Sequence, residues 1–471
     1  MRSVRIGLVG LGFANFEARN LRIFERSRDE LRGLTDRCGA ELAVYQEVVE
    51  TAEEAEKAVR YLEDQKIDFL LIQASSFSLG DVLYPLLELK TRFGFWFVPE
   101  PSYDGELPLN SLTGFNLVVS ICRKYAGSVQ YKWFFGWPGN ASFDEPLTVT
   151  LQALRAVTAL PGSRVAQIGS IVPTFDNLAY DSEELAKRLG IEVVPIAVEE
   201  LFDRCRQVSS KRTKEIVIHL KQRAERVLVD SESLEKTARV IGAMEMLRKE
   251  YRLDAAAVKC WPEFQSELDM APCAALANAN DGSFPSGCEG DLVGTISMLI
   301  GHMITGSAPT MNDPVAYDEA SGAIQMWHCG PGPASWADEA GQTLAYHHTL
   351  NRRRDPDQGL AGVSSDISFR KGPVTVMRIE ENGKSIFTFE AQVVEGPAKP
   401  YPGSGGWFSE FTSDKKQVSI RDMVETISAY GIEHHYPVCF GHIEHVYREL
   451  ASWMSLHVLP FKTWKPYRQG E

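Results

Sequence analysis

The chain has 471 residues and a formal net charge of −14, and its balance of 44% hydrophobic and 24% charged residues is that of a globular protein. The length exceeds one ordinary hydrophobic core and predicts two or three domains. The acidic balance excludes nucleic acid as the main partner, because phosphate binding needs a basic face, and no apolar run is long enough for a transmembrane helix. We expect a cytoplasmic protein.

Strand-like and helix-like segments alternate through the first part of the chain. Buried strand patterns cover residues 4–10, 41–47, 68–73, 94–99 and 131–136. Helical patterns lie between most of them, with the first at 17–34. Such alternation predicts a parallel sheet with helices on both faces. A stretch rich in Trp, Pro, Gly and Asn near 137–146 ends this N-terminal α/β domain, which we place at residues 1–145.

A second α/β pattern predicts a central domain at residues 146–314. Beyond this range the secondary-structure pattern changes. Strand patterns follow one another without intervening helices at 374–380, 385–394 and 417–420. We expect a C-terminal β-rich domain at residues 315–471, ending in a helix–strand–helix stretch. The predicted fold class is α/β: two doubly wound α/β domains followed by a C-terminal antiparallel β-barrel-like domain.

The glycine-rich segment GLVGLGF, Gly7–Phe13, invites comparison with a dinucleotide-binding turn. That pattern needs three glycines, but Asn15 stands at the third position, and no acidic residue follows at a clear second-strand end. A tight turn after the first strand is the better interpretation. A dinucleotide-dependent oxidoreductase is therefore disfavoured.

The eight cysteines are scattered along the chain, at positions 38, 122, 205, 260, 273, 288, 329 and 439. They contain no CxxC motif. The spacing therefore predicts reduced thiols, with neither a disulfide framework nor a structural zinc site.

The segment GCEGDLVG, Gly287–Gly294, places Glu289 and Asp291 in front of an apolar helical pattern. Two interpretations are open. Acids in a first helical turn cap free N–H groups and favour the helix dipole. Alternatively they belong to a metal site, since Asp313 follows Glu289 after one predicted helix and a return, a spacing that brings two carboxylates to one edge of a sheet.

Nine of the ten histidines lie at or beyond His302. His328 ends an apolar stretch, and His434 and His435 are adjacent, so only one of that pair is expected to reach a given site from a strand. Two carboxylates with one or two imidazoles suit Mn²⁺ or a similar divalent ion better than zinc. A nucleophilic Cys288 or Cys329 with a histidine base is a weaker alternative.

Taken together, these motifs resemble those of the L-fucose/L-arabinose isomerase family. The resemblance rests on CEGD at 288–291, the acid at Asp313, HCG at 328–330, the pair His434–His435 and CWP at 260–262. The resemblance is specific over residues 255–445, and it is closer to the fucose isomerase branch than to the arabinose isomerase branch. It implies an aldose–ketose isomerase, an intramolecular oxidoreductase that moves a proton between C1 and C2 through an ene-diol.

The resemblance implies a metal, usually manganese, with cobalt or magnesium as alternatives, held by Glu289, Asp313 and His435. His328 matches a fourth ligand of the arabinose branch, and its ligation stays open. Glu289 and Asp313 are also the expected catalytic groups, because a carboxylate on each side of a sugar can remove and return the proton. Asp291 is expected to orient the ligands. The resemblance further implies a homo-oligomer, a trimer or hexamer.

Substrate contacts are predicted at Trp261, Gln265, Trp327 and His328, which lie in or beside these motifs. The implied substrate is a free deoxy-sugar or pentose. An anionic sugar such as sulfoquinovose is the alternative, supported by the basic stretch NRRRDPDQ at 351–358 and by Lys371. A non-catalytic sugar-binding or regulatory protein, also built from two α/β lobes, is the alternative of another class, but it has no use for the clustered ligands.

Overall fold

The structure is a computed structural model that describes residues 3–127, 129–351 and 362–467. These residues form two compact units, with the division between Thr158 and Ala159. The elements of the first unit, in chain order, are β1 (Arg5–Leu11), α1 (Ile23–Arg37), β2 (Glu41–Val49), α2 (Ala52–Asp64), β3 (Phe69–Ala74), α3 (Tyr84–Leu87), β4 (Arg92–Phe97), α4 (Ser111–Tyr125), β5 (Tyr131–Phe135) and α5 (Ala141–Ala159).

The first unit is built on a parallel five-stranded sheet in the order β2-β1-β3-β4-β5. All six residues of β3 are buried, as expected for a central strand covered on both faces. The predicted strands are confirmed, while the first helix begins at Ile23 rather than at residue 17. A Cβ atom at Gly10 would lie 2.6 Å from the Phe24 ring, so this glycine allows α1 to pack closely on β1.

The second unit begins with an α/β part. Its elements are β6 (Arg164–Ile168), α6 (Ser182–Leu189), β7 (Glu192–Ile196), α7 (Val198–Gln207), α8 (Ser210–Arg223), β8 (Arg226–Val227), α9 (Ser231–Tyr251), β9 (Ala255–Val258), α10 (Glu263–Leu268), α11 (Cys273–Asp281), β10 (Ser286–Gly287) and α12 (Leu292–Thr305). A parallel sheet in the order β10-β9-β6-β7 forms its centre. Apolar residues of α7, α9 and α11 cover this sheet in one continuous core.

Most of the remaining elements are strands. The elements are β11 (Thr310–Asp318), β12 (Ala323–His328), β13 (Thr343–Tyr346), α13 (His348–Asn351), β14 (Val363–Ser368), β15 (Gly372–Glu380), β16 (Ser385–Val394), β17 (Ser404–Ser413), β18 (Lys416–Gln417), α14 (Ile420–Tyr430), β19 (Tyr436–Phe440), α15 (Glu444–Met454) and β20 (His457–Val458).

Six of these strands close into an antiparallel barrel. The pairing runs β16-β15-β19-β11-β12-β17, and β17 pairs again with β16. Strands β14, β13 and β8 extend this sheet beyond β17, partly in parallel, so the sheet as a whole is mixed. The predicted fold class is therefore confirmed.

One predicted strand differs from the structure. Residues 417–420 contribute only the end of the two-residue strand β18, and α14 begins at Ile420. The reason is a capping box, in which the Ser419 hydroxyl accepts the Asp422 N–H and the Asp422 carboxylate accepts the Ser419 N–H. Among the described residues, no helix combines the length and apolar character needed to cross a lipid bilayer.

Candidate active site

Glu289 lies in a sharp turn between β10 and α12. Glu289 and Gly290 both have left-handed backbone conformations, with φ of 60° and 71°. The turn is held by the Gly290 N–H donating to the Val258 carbonyl and by the Val172 N–H donating to the Glu289 carbonyl. A side chain at Gly290 would collide with the Ser170 carbonyl. These contacts maintain the strained turn. The turn places the Glu289 carboxylate at the end of the parallel sheet.

Asp313 and His435 come from neighbouring barrel strands. Asp313 lies within β11, while His435 immediately precedes β19, and the register pairs Asn312 with Tyr436. Neighbouring positions of an antiparallel pair bring side chains close together. The sequence suggested that the two carboxylates share one sheet edge, and the structure shows that they do not. Glu289 belongs to the parallel sheet and Asp313 to the barrel, and the site forms where these two meet.

The distances show a compact cluster around His435. Its Nε2 atom lies 3.3 Å from Glu289 Oε2 and 3.8 Å from Asp313 Oδ1. The His328 ring stacks on the His435 ring, with centroids 5.4 Å apart. Ligand atoms of Glu289, His328 and His435 lie within 4.8 Å of one another. The structure thus brings together all four residues that the sequence nominated for the metal.

His434 also reaches this cluster. Its Nε2 lies 3.3 Å from Glu289 Oε2, and its Nδ1 lies 3.1 Å from the Asn177 amide nitrogen. Since the amide donates to Nδ1, Nε2 of the neutral ring carries the proton that Glu289 accepts. The expectation that only one of the adjacent histidines reaches the site was wrong. Both precede β19 in an irregular segment, where strand alternation does not apply.

The histidine His435 is oriented by Asp291. The distance from His435 Nδ1 to Asp291 Oδ2 is 3.0 Å, and neither side chain has exposed surface. Burial raises the pKa of Asp291, but Arg378 and His435 outweigh it and hold the pKa far below its usual range. Because an ionised carboxylate only accepts, His435 donates from Nδ1 and turns Nε2 toward Glu289 and Asp313. Asp291 also accepts the Gly294 N–H, so it caps α12 as well.

Arg378 completes this arrangement and was not identified from the sequence. It is fully buried on β15, with Nη1 2.7 Å from Asp291 Oδ2 and Nε 3.1 Å from Glu433 Oε2. Nη1 also donates to the His435 carbonyl. The sequence held one signal, an arginine inside the mostly apolar run VTVMRIE. Arginine is rarely buried without ionic partners.

The environments of the two carboxylates differ. Burial raises the pKa of Glu289, but its contacts with His434 and His435 outweigh that effect and lower it to about 2. Burial dominates at Asp313 and raises its pKa. For His435, burial lowers the pKa, but the surrounding carboxylates raise it to about 9. Two carboxyl groups with oppositely shifted pKa values are typical of acid/base sites.

His328 differs from His435 in its hydrogen bonds. Its Nδ1 accepts the Cys329 backbone N–H at 2.8 Å and lies 3.2 Å from Cys329 Sγ. In the neutral ring, Nε2 then carries the proton on the side facing the carboxylates. Burial lowers the pKa of His328, but Cys329, Asp313 and Glu289 raise it well above its usual value.

The aromatic residues predicted to contact substrate lie in different places. Trp261 packs edge-to-face on Phe175 at 6.0 Å, and Phe175 packs in the same way on His434 at 5.5 Å. Trp261 therefore belongs to the wall beside Glu289, and Phe175 joins it as a residue that sequence reasoning missed. Trp327 on β12 is the cross-strand neighbour of Asp313 on β11. Its indole N–H donates to the carbonyls of residues 401 and 402.

The remaining predicted contacts have local partners or fall outside the structure. The Gln265 amide nitrogen donates to the carbonyls of Cys260 and Met270, which ties together two turns behind the site. Lys371 is exposed and pairs with Glu395 at 2.9 Å. Of the basic stretch 351–358, all but its first residue lies outside the described residues.

Comparisons with known proteins identify relatives over almost the whole chain. No family model matches. The chain is similar to the sulfoquinovose isomerase of Priestia aryabhattai, with 26% identity over 466 residues that cover 97% of this chain and 99% of the relative. The sulfoquinovose isomerase of Alkalicoccus urumqiensis is 26% identical over 403 residues, covering 83% of this chain and 86% of the relative.

Among solved structures, a periplasmic solute-binding protein of an ABC transporter from Actinobacillus succinogenes 130z, with bound D-allose, aligns with 65% of this chain and 93% of its own. The identity is 12% and the TM-score is 0.18. A score this low carries no structural conclusion.

The site and the relatives agree on the class of protein. Two carboxylates and buried imidazoles converge in a chain that is similar over nearly its whole length to isomerases of a sugar. The protein is an aldose–ketose isomerase, as the sequence predicted, and not a non-catalytic binding protein. The narrower resemblance to the fucose/arabinose family is not confirmed by these relatives.

Proposed function

We propose that the protein is a divalent-metal-dependent isomerase that converts a sulfonated aldohexose of the sulfoquinovose type to its ketose. One observation carries this proposal: the Glu289 and Asp313 carboxylates converge on His435 Nε2, whose opposite nitrogen is held by Asp291. The named relatives support the anionic alternative of the sequence analysis rather than its first choice, a neutral deoxy-sugar or pentose.

The residues present fit a divalent ion. His435 Nε2, His328 Nε2 and Asp313 Oδ1 are buried and have no hydrogen-bond partner of good geometry among the described residues. Carboxylate oxygens with an imidazole nitrogen suit Mn²⁺, and Co²⁺ or Mg²⁺ are the alternatives. Glu289, Asp313 and His435 would hold the ion. Because Nε2 of His328 carries a proton, it is better suited to donate a hydrogen bond to a substrate oxygen than to bind the ion. When bound, the ion supplies Lewis-acid stabilisation of negative charge on the sugar oxygens.

The chain's own groups account for the proton transfer. Isomerisation moves a proton from C2 to C1 and another between the two oxygens. Glu289 and Asp313 approach His435 Nε2 from different sheets, so they can face a sugar from two sides and exchange these protons. Turnover in D₂O should therefore place solvent deuterium at C1 of the ketose. A product without deuterium contradicts this role.

The metal requirement has a direct test. Purified protein should contain about one Mn²⁺-class ion per chain, lose activity on dialysis against a chelator, and regain it with Mn²⁺. Glu289→Gln should lower Mn²⁺ affinity in calorimetry and reduce kcat/KM by at least ~100-fold. Glu235→Gln, an exposed glutamate on α9, is the matched control. Full metal content and full turnover in Glu289→Gln would show that the site is misassigned.

The substrate is tested separately from the chemistry. Sulfoquinovose should be isomerised with a kcat/KM at least ~100-fold above that of 6-deoxy-D-glucose, which has the same ring without the sulfonate. L-Fucose, L-arabinose and D-arabinose complete the panel. Preference for one of these neutral sugars supports the first choice of the sequence analysis and rejects the sulfonated substrate. Lys371→Met tests whether that side chain takes part in anion binding.

The expected assembly and location are also proposals. A homo-oligomer, trimer or hexamer, is expected in the cytoplasm. Light scattering on the purified protein measures its mass, and a monomer at micromolar concentration would contradict the predicted assembly.

A further inference from the structure

The outer edge of the five-stranded sheet carries an exposed aromatic stripe, formed by Tyr131, Trp133 and Phe135 of β5. These side chains are 39%, 54% and 41% exposed, and β5 is the terminal strand of the sheet that the described residues form. Because side chains alternate along a strand, the three share one face of the sheet. An exposed apolar terminal strand pairs readily with another chain unless charge, proline or a covering element protects its edge.

The opposite face of β5 is covered by α5. The Lys132 ammonium donates to the Pro146 carbonyl and the Thr150 hydroxyl. The Phe134 ring packs against Phe143 of the same helix, with ring centroids 6.1 Å apart. The one charged residue of the strand is therefore directed away from the aromatic stripe and does not protect it.

The aromatic stripe extends the hydrophobic core of the first unit to the surface. The Phe135 ring packs on Phe97 at 5.9 Å, and the Tyr131 ring packs on Phe95 at 5.2 Å. Phe97 in turn packs on Phe115 of α4 at 4.9 Å. Helix α4 thus covers β4 on this face and leaves the stripe exposed.

The free backbone groups of β5 belong to the same three residues. The Phe93 N–H donates to the Gln130 carbonyl, and the Gly136 N–H donates to the Phe97 carbonyl. Alternate residues of a parallel strand bond to the same neighbour, so the even-numbered residues from 130 to 136 face β4. The N–H and C=O groups of the aromatic stripe therefore point to the open edge.

We propose that the aromatic stripe is an interface between two copies of this chain, in which β5 pairs in antiparallel fashion with β5 of the second copy. A two-fold axis at Trp133 places this residue opposite its own copy and Tyr131 opposite Phe135. In this register every outward N–H and C=O of the stripe meets a partner, which gives about six main-chain hydrogen bonds, two for each residue pair. The same register sets the aromatic rings of both copies side by side on one face.

Charge favours a second copy as the occupant. In the antiparallel register Lys132 lies opposite Phe134 rather than opposite a second Lys132, so no like charges within β5 face each other. The stripe contains no charged residue that would select an oppositely charged ligand. A strand that is complementary to itself in backbone, side chains and charge is what a two-fold contact requires.

The size of the contact indicates that it belongs to a larger assembly. At the exposed fractions given above, the stripe offers about 300 Å² of aromatic surface per copy, since one buried aromatic side chain covers ~150–250 Å². A stable interface of standard size takes ~800 Å² from each partner, so the β5 contact acts together with others. Its two-fold symmetry makes the number of chains even and, of the trimer and hexamer proposed above, selects the hexamer. This inference does not rest on the isomerase activity.

Light scattering tests the contribution of the stripe to assembly. Trp133→Glu places two negative charges opposite each other at the two-fold axis, and we expect the mass of the assembly to fall by about twofold. Tyr103→Glu, at a residue of the same unit that is 95% exposed, is the matched control and should keep the wild-type mass. Circular dichroism establishes that both variants are folded. A folded Trp133→Glu variant with the wild-type mass overturns the proposal, and so does a monomeric wild type.

A second experiment tests the register and keeps Trp133 in place. In the double variant Tyr131→Cys/Phe135→Cys, the two substituted positions face each other across the axis with Cα atoms about 5.5 Å apart, which is within the range of a disulfide. Mild oxidation should therefore link the chains in pairs, seen as a doubled mass on a denaturing gel that a reductant reverses.

The single variants Tyr131→Cys and Phe135→Cys are the controls. Neither should link beyond the wild-type level, because identical positions lie ~13 Å apart along the paired strands. Linkage in a single variant, or an oligomeric double variant that stays unlinked, contradicts the antiparallel contact.

Discussion

His435 donates its Nδ1 proton to Asp291 over 3.0 Å, and both side chains are completely buried. This one contact defines which nitrogen of His435 faces Glu289 and Asp313. Arg378 holds Asp291 in turn, so the orientation of the candidate metal ligand depends on a chain of three side chains from the N-cap of α12, β15 and the segment before β19. The following predictions test that chain and the wall beside it.

Replacing Asp291 with asparagine should weaken the metal site. An amide can keep the cap of α12, but it loses the negative charge that orients His435 and balances Arg378. We expect Mn²⁺ affinity to fall by ~10–100-fold, measured by calorimetry. Asp230→Asn is the matched control, because Asp230 caps α9 through the Ser233 N–H. Equal Mn²⁺ affinities for Asp291→Asn and wild type would show that the contact does not orient the ligand.

Replacing Arg378 with methionine should be strongly destabilising. The change leaves Asp291 and Glu433 without their buried cation, and breaking a buried ion pair in this way costs ~3–5 kcal/mol. Chemical denaturation followed by circular dichroism measures the loss. The control is Arg212→Met, which breaks an exposed pair with Glu245 and should cost at most about 1 kcal/mol. Similar losses in both variants would contradict the importance of the buried network.

The buried carboxyl group of Glu380 should make the stability of the protein depend on pH. Burial and the neighbouring Glu433 raise the pKa of Glu380 to about 10, from an ordinary value of 4.5. The folded protein thus keeps a proton that the unfolded chain releases, so this group's contribution is complete below pH 4.5 and falls as the pH rises toward 10.

Glu380→Gln imitates the protonated acid at every pH and should remove this pH dependence. Its free energy of unfolding should match wild type in mild acid and exceed it in mild alkali, with the gap widening by up to ~1.4 kcal/mol per pH unit. Denaturant titrations from about pH 4 to about pH 9 provide the measurement. Parallel curves for the two proteins would mean that Glu380 is ionised in the folded state.

Phe175→Ala should impair substrate use without removing the metal. The ring packs on both Trp261 and His434, so its loss opens the wall beside Glu289. We expect a higher KM and a kcat/KM reduced by ~10–100-fold, with Mn²⁺ affinity unchanged. Tyr467→Ala, at an exposed residue, serves as control. Unchanged steady-state kinetics would exclude Phe175 from the substrate wall.

Much of the fold could be predicted from the sequence, because hydrophobic periodicity and turn residues act locally. The buried run of β3 and the apolar pattern of α12 both lie where the sequence placed them. The closure of the barrel could not be predicted in this way. It depends on the pairing of β16 with both β15 and β17, which local patterns do not specify.

For the site, the sequence by itself determined which groups were available: two carboxylates and late histidines of types that bind a hard divalent ion. Only the tertiary structure decided their arrangement. It placed Glu289 on one sheet and Asp313 on another, and it brought Arg378 beneath Asp291. It also brought the Cys273 and Cys329 sulfur atoms, which are far apart in sequence, to 3.8 Å from each other. The physical reason is that these contacts join residues from separate elements, whose approach is set by packing of the parallel sheet against the barrel.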